Sequence, residues 1–477
     1  MDEIKVDVAI IGAGTAGLGA YRNAKKHRER VVMIEGGPYG TTCARVGCMP
    51  SKLLIAAAEA AHQLEKAPAF GVHFDGAPRI EGREVMARVK RERDRFVGFV
   101  VESVENIPAE DRLRGYARFI DNHRLQVDGK VVHARTVVIA TGSSPAVPGM
   151  FRDLGDRLLV NDAIFEWDDL PKSVAVFGPG VIGLELGQAL HRLGVRVRIF
   201  GRGGNVGPLT DPAVLEKCAT TLSEEFYLDP DAVIGALSRE EDHVVITYKH
   251  RDGDQRTESF DYVIAATGRT PNVRNLGLEN TDLPLDERGV PVHDPYTMQV
   301  GDSHVFIAGD ATNERPLLHE AADEGRIAGE NAGRYPDIRA GVRRSSLGIV
   351  FSDPQIAMVG CSYKMLTEGC FAVGEVSFDD QGRSRVMLRN KGLLRVYAEH
   401  GTGLFKGAEM FGPAAEHIGH LLAWAHQRKM TIAEMLAMPF YHPVIEEGVR
   451  TALRDVNNKL HLGPVPVPRC LDCGPGA

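Results

Sequence analysis

Cysteine is scarce in this chain, at seven residues in 477. A chain of this length buries large cores and needs no stapling disulfides. Positive charge is not in excess either. Lys and Arg total 56 against 64 Asp and Glu, leaving a net charge of −8 and a pI near 6.1. The footprint of a protein that binds nucleic acid or anionic lipid is therefore missing. The densest basic run, Arg88 to Arg95, is interleaved with acids and reads as a solvated helix face. No apolar run approaches the ~20 residues of a membrane span. A strand signal begins within a few residues of Met1, which leaves no room for a signal peptide. The expectation is a cytoplasmic protein with no nucleic-acid or membrane partner. In that compartment a cysteine pair serves catalysis or metal binding rather than stapling. Composition is otherwise ordinary, with 43% hydrophobic and 25% charged residues, and the length predicts roughly three domains at about 150 residues each.

The stretch that stands out is Gly40-Thr41-Thr42-Cys43-Ala44-Arg45-Val46-Gly47-Cys48-Met49-Pro50-Ser51-Lys52, which opens onto a good helix former. Cysteines at a helix start sit at the positive end of the peptide dipoles, which lowers thiol pKa. Cys43 and Cys48 read as a redox-active disulfide. Ahead of them, the apolar run Val6–Ile11 enters Gly12-Ala13-Gly14-Thr15-Ala16-Gly17, a helical stretch follows, and the run Val31–Ile34 ends on Glu35. Such glycines permit a tight turn and close backbone approach to a pyrophosphate resting on a helix N-terminus, and the acid is placed to bind ribose hydroxyls.

A second copy of this plan begins about 165 residues later. Val174–Phe177 leads to Gly178-Pro179-Gly180-Val181-Ile182-Gly183, a helix and another strand. Each copy is matched by an Ala-Thr-Gly at the end of a further strand, Ala140-Thr141-Gly142 in one case and Ala266-Thr267-Gly268 in the other. Two dinucleotide sites are therefore expected. The position equivalent to Glu35 is Gly201, followed by Arg202. Loss of the acid beside an arginine favours the 2′-phosphate of NADP. A third strand ends on Asp310, which is suited to a ribitol chain. From about Gly341 the fingerprints stop and the pattern becomes α+β. There His442, heading an expected helix, stands near Glu447 as a base with an orienting acid. The Pro/Gly-rich tail carries Cys470 and Cys473, which read as a second dithiol, half a metal site or an incidental motif.

From Val6 to about Leu460 these motifs, in this order, resemble the FAD-dependent pyridine nucleotide–disulfide oxidoreductases, with dihydrolipoamide dehydrogenase as the nearest member. The resemblance implies two Rossmann-like domains and a C-terminal α+β dimerisation domain. The expected boundaries are 1–144 with 270–340 for FAD, 145–269 for NAD(P), 341–463 for the interface and 464–477 for the tail. It implies one non-covalent FAD per subunit, with pyrophosphate at Gly12, Gly14 and Gly17, adenosine ribose at Glu35 and ribitol near Asp310. Thr42, Lys52, Thr141 and Gly142 complete that site. Gly178, Gly180, Gly183, Arg202 and Gly268 would serve the nicotinamide nucleotide, NADP(H) in preference to NAD(H).

Lys52 and Glu185 match the pair beside the flavin. Cys43 would meet substrate and Cys48 the flavin, while His442 and Glu447 would complete the other subunit's site in a homodimer. The implied activity passes electrons between dihydrolipoamide and NAD(P), in a 2-oxoacid dehydrogenase complex or outside one, with no resident metal. The alternatives are an NADPH-dependent reductase of another disulfide or a metal ion, and a flavin-binding redox sensor without turnover. The chain differs from the family pattern at Gly201, at Ala44-Arg45 where Leu-Asn or Val-Asn is common, and at Phe440 where a second histidine is frequent.

Overall fold

A computed structural model describes residues 2–76 and 79–462. Two compact units emerge, one from residues up to Arg202 with Asp231–Arg343, the other from Gly203–Pro230 with the chain from Arg344 onward. The segment 203–230, placed within 145–269 from the sequence, thus groups with the C-terminal residues.

In the first unit, Asp2–Ile11 lies between Val31–Glu35 and Lys130–Ile139, both parallel to it, with Ile10 opposite Met33 on one side and Val138 on the other. Arg112–Arg114 extends the sheet beyond Val31–Glu35, and Val305–Ile307 pairs with the C-terminal half of Lys130–Ile139. Along the other half, Arg124–Val127 and Ala117–Phe119 fold back antiparallel. The continuous apolar runs follow from burial on both faces, and Val8, Ala9 and Ile10 are fully buried.

One face carries the helices Thr15–Ala24 and Leu318–Arg334. They touch backbone to backbone: a Cβ on Gly325 or Gly329 would lie 2.2 Å from the carbonyl oxygen of Ala16 or Ala20. A second sheet repeats the plan with Arg196–Phe200, Ser173–Phe177, Tyr262–Ala265 and Leu158–Leu159, all parallel, and the helix Val181–Arg192. Ser143–Pro145 and Arg269–Pro271 pair antiparallel, so the chain leaves the first fold and returns to it side by side.

The second unit is an antiparallel sheet in the order Leu347–Val350, Gln355–Gly360, Phe405–Gly412, Leu393–Glu399, Phe371–Ser377. The helices Ala415–Gln427 and Glu447–Lys459 contribute to its core. The helix Pro212–Ser223 belongs here for a polar reason. Asp211 caps its start and accepts hydrogen bonds from Arg395 and Tyr397 at 3.0 Å. Buried Glu409 accepts from the backbone N–H groups of Thr210, Asp211 and Tyr363 at 2.7–2.9 Å. Both carboxylates are fully buried, and donors of this number and geometry are what makes such burial tolerable. The α+β reading of the C-terminal region and the two repeated folds agree with the sequence. The cysteine-bearing tail beyond Leu462 lies outside the described residues.

Gly325→Ala should drive its methyl into the Ala16 carbonyl and destabilise the first fold by about 3 kcal/mol. Thermal unfolding followed by circular dichroism checks this, and an unchanged midpoint would mean that the helices can separate at no cost.

Candidate functional site

The two fingerprints fold alike in detail. Gly12 has φ +112° and Gly178 φ +106°, and a Cβ on either would sit 2.3 Å from the carbonyl oxygen of Ala140 or Ala266. A Cβ on Gly17 or Gly183 would lie 1.9 Å from the carbonyl oxygen of Gly12 or Gly178. Of the fingerprint glycines, Gly14 and Gly180 alone have open space, with nothing within 4 Å. At these two glycines the helices Thr15–Ala24 and Val181–Arg192 begin, and neither has a side-chain cap. First-turn amides of this kind form a cradle for a pyrophosphate.

Glu35, at the end of its strand, accepts the Ala13 N–H at 2.8 Å and the Gly37 N–H at 2.7 Å, which leaves lone pairs on both oxygens. Thr141 Oγ1 is buried without a hydrogen-bond partner among the described residues, and Gly142 and Gly268 are open at their Cβ positions. Asp310 accepts the Ser143 hydroxyl at 2.7 Å, and Arg269 donates to that same hydroxyl at 2.7 Å. The residues fit FAD on the first fold and a nicotinamide nucleotide on the second. At the end of the second copy's strand, Gly201 is half-buried and Arg202 exposed.

The cysteine stretch divides into two helices. Cys43 lies inside Thr42–Val46, whose cap Thr41 accepts the Ala44 N–H at 3.3 Å. Cys48 is the first residue of Cys48–Lys66. The helix-start argument therefore applies to Cys48, while Cys43 belongs to the turn before. Cys48 is the more exposed of the two, Cys43 being half-buried. The two sulfurs hydrogen-bond each other, and that bond together with burial pushes the Cys43 thiol up. The same bond, received by Cys48, brings Cys48 down to about 7. Burial opposes the shift, Lys52 adds to it and Glu185 opposes it. Charge in the reduced pair thus settles on Cys48.

Lys52 follows one helical turn later and meets Glu185 at 2.6 Å. Glu185 lies on the helix that starts at Gly180, so this bond ties the cysteine helix to the second fold.

In the second unit His442 and Glu447 are brought together, though not by helical spacing. The helix begins only at Glu447, and His442 stands in the loop before it. His442 Nδ1 is 3.0 Å from Glu447 Oε2 and 3.2 Å from Oε1. Since a carboxylate only accepts, Nδ1 carries the proton and Nε2 is left as the base. The imidazole is 81% exposed. The His442 hydrogen bond holds Glu447 below the usual carboxylate range, with Val444 N–H and Arg450 assisting. The cysteine pair and the histidine pair stand in different units.

Sequence reasoning missed Ser143 and Arg269 beside Asp310. The signal was available, since each directly follows an Ala-Thr-Gly.

A doubled dinucleotide fold with a thiol pair at the first site defines a flavin-type oxidoreductase frame. The chain belongs to the pyridine nucleotide-disulphide oxidoreductases: residues 6–325 match that family and residues 347–453 match its dimerisation domain. FAD and NAD(P) are the cofactors of this family. A mercuric reductase of Shigella flexneri is 31% identical over 464 residues, covering 94% of this chain and 80% of the relative. A dihydrolipoyl dehydrogenase of Chlamydia pneumoniae is 28% identical, covering 96% and 98%. A soluble pyridine nucleotide transhydrogenase of Hahella chejuensis is 30% identical, covering 96% and 100%. Among solved structures, LpdA from Mycobacterium tuberculosis shares the fold with TM-score 0.79 at 24% identity, covering 95% of this chain and 99% of its own. The motif order thus implied the family correctly, and the relatives do not single out one substrate. No helix among the described residues is long and apolar enough to cross a membrane.

In the reduced protein, alkylation of Cys48 by iodoacetamide should rise with pH through a midpoint near 7, because below it the thiolate is protonated. Lys52→Met should move that midpoint up by about one unit through loss of the opposite charge. Mass spectrometry of the alkylated peptide reads both, and a wild-type midpoint near 9 would refute the charge placement.

Proposed function

We propose that this enzyme exchanges electron pairs between an organic dithiol and NADP(H), with dihydrolipoamide and lipoamide as the substrate pair that suits it best. The observation that carries this reading is the His442–Glu447 pair. A carboxylate-oriented imidazole with Nε2 exposed is equipment for taking a proton from a thiol. A metal ion brings no such proton, so this pair favours a dithiol over the metal-ion substrate of a mercuric reductase.

The chain's own residues act as follows. His442 of the partner subunit accepts the proton of one substrate thiol, and the resulting thiolate attacks Cys43 Sγ. The Cys43–Cys48 bond breaks, and Cys48 leaves as a thiolate stabilised by the helix start and Lys52. The second substrate thiol displaces Cys43, which closes the substrate disulfide and leaves Cys43 protonated. Substrate has then lost two electrons and two protons; the cysteine pair holds the electrons, and His442 and Cys43 hold the protons. Gly12, Gly14, Gly17, Glu35 and Asp310 would hold FAD, which would supply a two-electron acceptor for the cysteine pair, and Gly178, Gly180 and Gly183 would hold the nicotinamide nucleotide. Glu447 keeps the imidazole in its working tautomer throughout.

Arg202 supports NADP(H) over NAD(H). Gly201 stands where the first copy has Glu35 and Arg202 follows it, so a 2′-phosphate would meet a cation rather than a carboxylate. A homodimer built on the C-terminal domain follows from the same reading, with the lipoyl group free or carried by a 2-oxoacid dehydrogenase complex.

Steady-state assays with both nicotinamides, against lipoamide and a mercuric salt, test the proposal. Cys43→Ser and Cys48→Ser should each abolish lipoamide turnover, and His442→Gln should lower it by about 10²–10⁴-fold. Undiminished lipoamide turnover in His442→Gln, or turnover of the mercuric salt alone in the wild type, would overturn the substrate class. Arg202→Ala should raise the KM for NADPH about tenfold and leave that for NADH unchanged; equal effects on both would reverse the nucleotide preference.

A further inference from the structure

The turn between the two cysteines is held from outside by a residue with no place in the chemistry described so far. Asn161 opens a short helical turn, Asn161–Ile164, that precedes the second fold. Its side chain is 6% exposed. Its amide nitrogen donates to the Val46 carbonyl at 3.0 Å and to Asp162 Oδ1 at 2.8 Å, so both protons of the amide are engaged. Val46 is the last residue of the helix that holds Cys43, and the next residue, Gly47, is the kink before Cys48. The Val46 carbonyl therefore lies at the junction that sets the approach of the two sulfurs. Burial raises the Asp162 carboxyl, and Arg269 and Arg45 oppose that rise. Arg45 comes from the inter-cysteine turn itself, so that turn faces this corner through a carbonyl and through a guanidinium. Arg45 stands where the family pattern differs from this chain.

We propose that Asn161 is a positioning residue for the Cys43–Cys48 couple: by fixing the Val46 carbonyl it holds the turn in the geometry that disulfide closure requires. The inference rests on the reading of Cys43 and Cys48 as a redox-active pair. The physical reason is entropic. A disulfide constrains the turn whatever surrounds it, whereas the dithiol is constrained only by contacts such as this one. Removing the contact frees the dithiol more than the disulfide and makes the disulfide easier to reduce.

The test is equilibration of the full-length flavoprotein in glutathione buffers, where the disulfide and two glutathione thiols exchange for the dithiol and one glutathione disulfide. Rapid alkylation and mass spectrometry read the reduced fraction. Asn161→Ala and Asn161→Leu, the second keeping the volume without the donor, should each shift the equilibrium about tenfold toward the dithiol, or ~30 mV for two electrons. Circular dichroism and retained flavin report whether each variant is folded, and a folded Asn161→Leu alone is enough to decide. Wild-type potential in a folded Asn161→Leu would overturn the inference, because packing and not the hydrogen bond would then hold the turn. A wild-type protein whose two cysteines never equilibrate with glutathione would instead overturn the redox-pair reading itself.

Discussion

Everything at both dinucleotide sites depends on one backbone contact made twice. The first glycine of each fingerprint presses its Cα against the carbonyl of an alanine at the end of a neighbouring strand, Gly12 on Ala140 and Gly178 on Ala266. That approach is open only to a residue without Cβ and at positive φ. It sets where the strand stops, and hydrogen bonds seal it. Gly12 N–H donates to Ile34 and Ala140 N–H to Ile11, and Gly178 N–H donates to Phe200 and Ala266 N–H to Phe177, all at 2.8–2.9 Å. With the strand end fixed, Gly17 and Gly183 close onto the first glycines, and Gly14 and Gly180 are left as the open positions where a phosphate can meet helix amides. The two copies share their geometry and part company only at the following strand's end, where one carries Glu35 and the other Gly201-Arg202.

The thiol pair is built on a different constraint, competition for charge. Two sulfurs in hydrogen-bond contact cannot both ionise, and their surroundings decide which one does. Cys43 sits within a one-turn helix, donates its proton and is pushed up. Cys48 starts a 19-residue helix, receives the proton and faces Lys52. Lys52 serves two anions, the Cys48 thiolate and the buried Glu185 carboxylate, so it cannot neutralise either fully. Burial, and after it the Glu185 carboxylate, works against the fall in the Cys48 pKa and leaves the thiol at about 7.

What the chain order revealed and what it hid follow from range. The fingerprints, the Ala-Thr-Gly echoes and the cysteine spacing are local patterns whose physics is complete within a few residues, and each was legible. The approach of His442 to Glu447 was legible as a pairing but misread as helical spacing. The loop is held by the Glu447 carboxylate, which accepts the Val444 N–H and the imidazole together, and sequence periodicity carries no trace of such a loop. The grouping of 203–230 with the C-terminal residues was hidden for a similar reason. Asp211 caps the helix that starts at Pro212, and only the fold supplies Arg395 and Tyr397 as its donors. Asn161, more than a hundred positions from Val46, leaves no pattern at all.

The two acid–base pairs of the candidate site differ in the way their tasks require. Glu185 is 5% exposed and meets Lys52, itself 32% exposed, at 2.6 Å, a short contact that brings a buried carboxylate to an ammonium. Such a pair is stiff, as suits a residue that must stay beside one thiolate. Glu447 is also well anchored, by Val444 and Arg450, yet the imidazole it orients is exposed and stands in a loop. An exposed ion pair contributes little to stability, so the fold does not rest on the contact between His442 and Glu447. Anchoring the carboxylate instead of the imidazole fixes the tautomer and leaves Nε2 accessible. In the proposed reaction, a base that meets a diffusing thiol needs that combination.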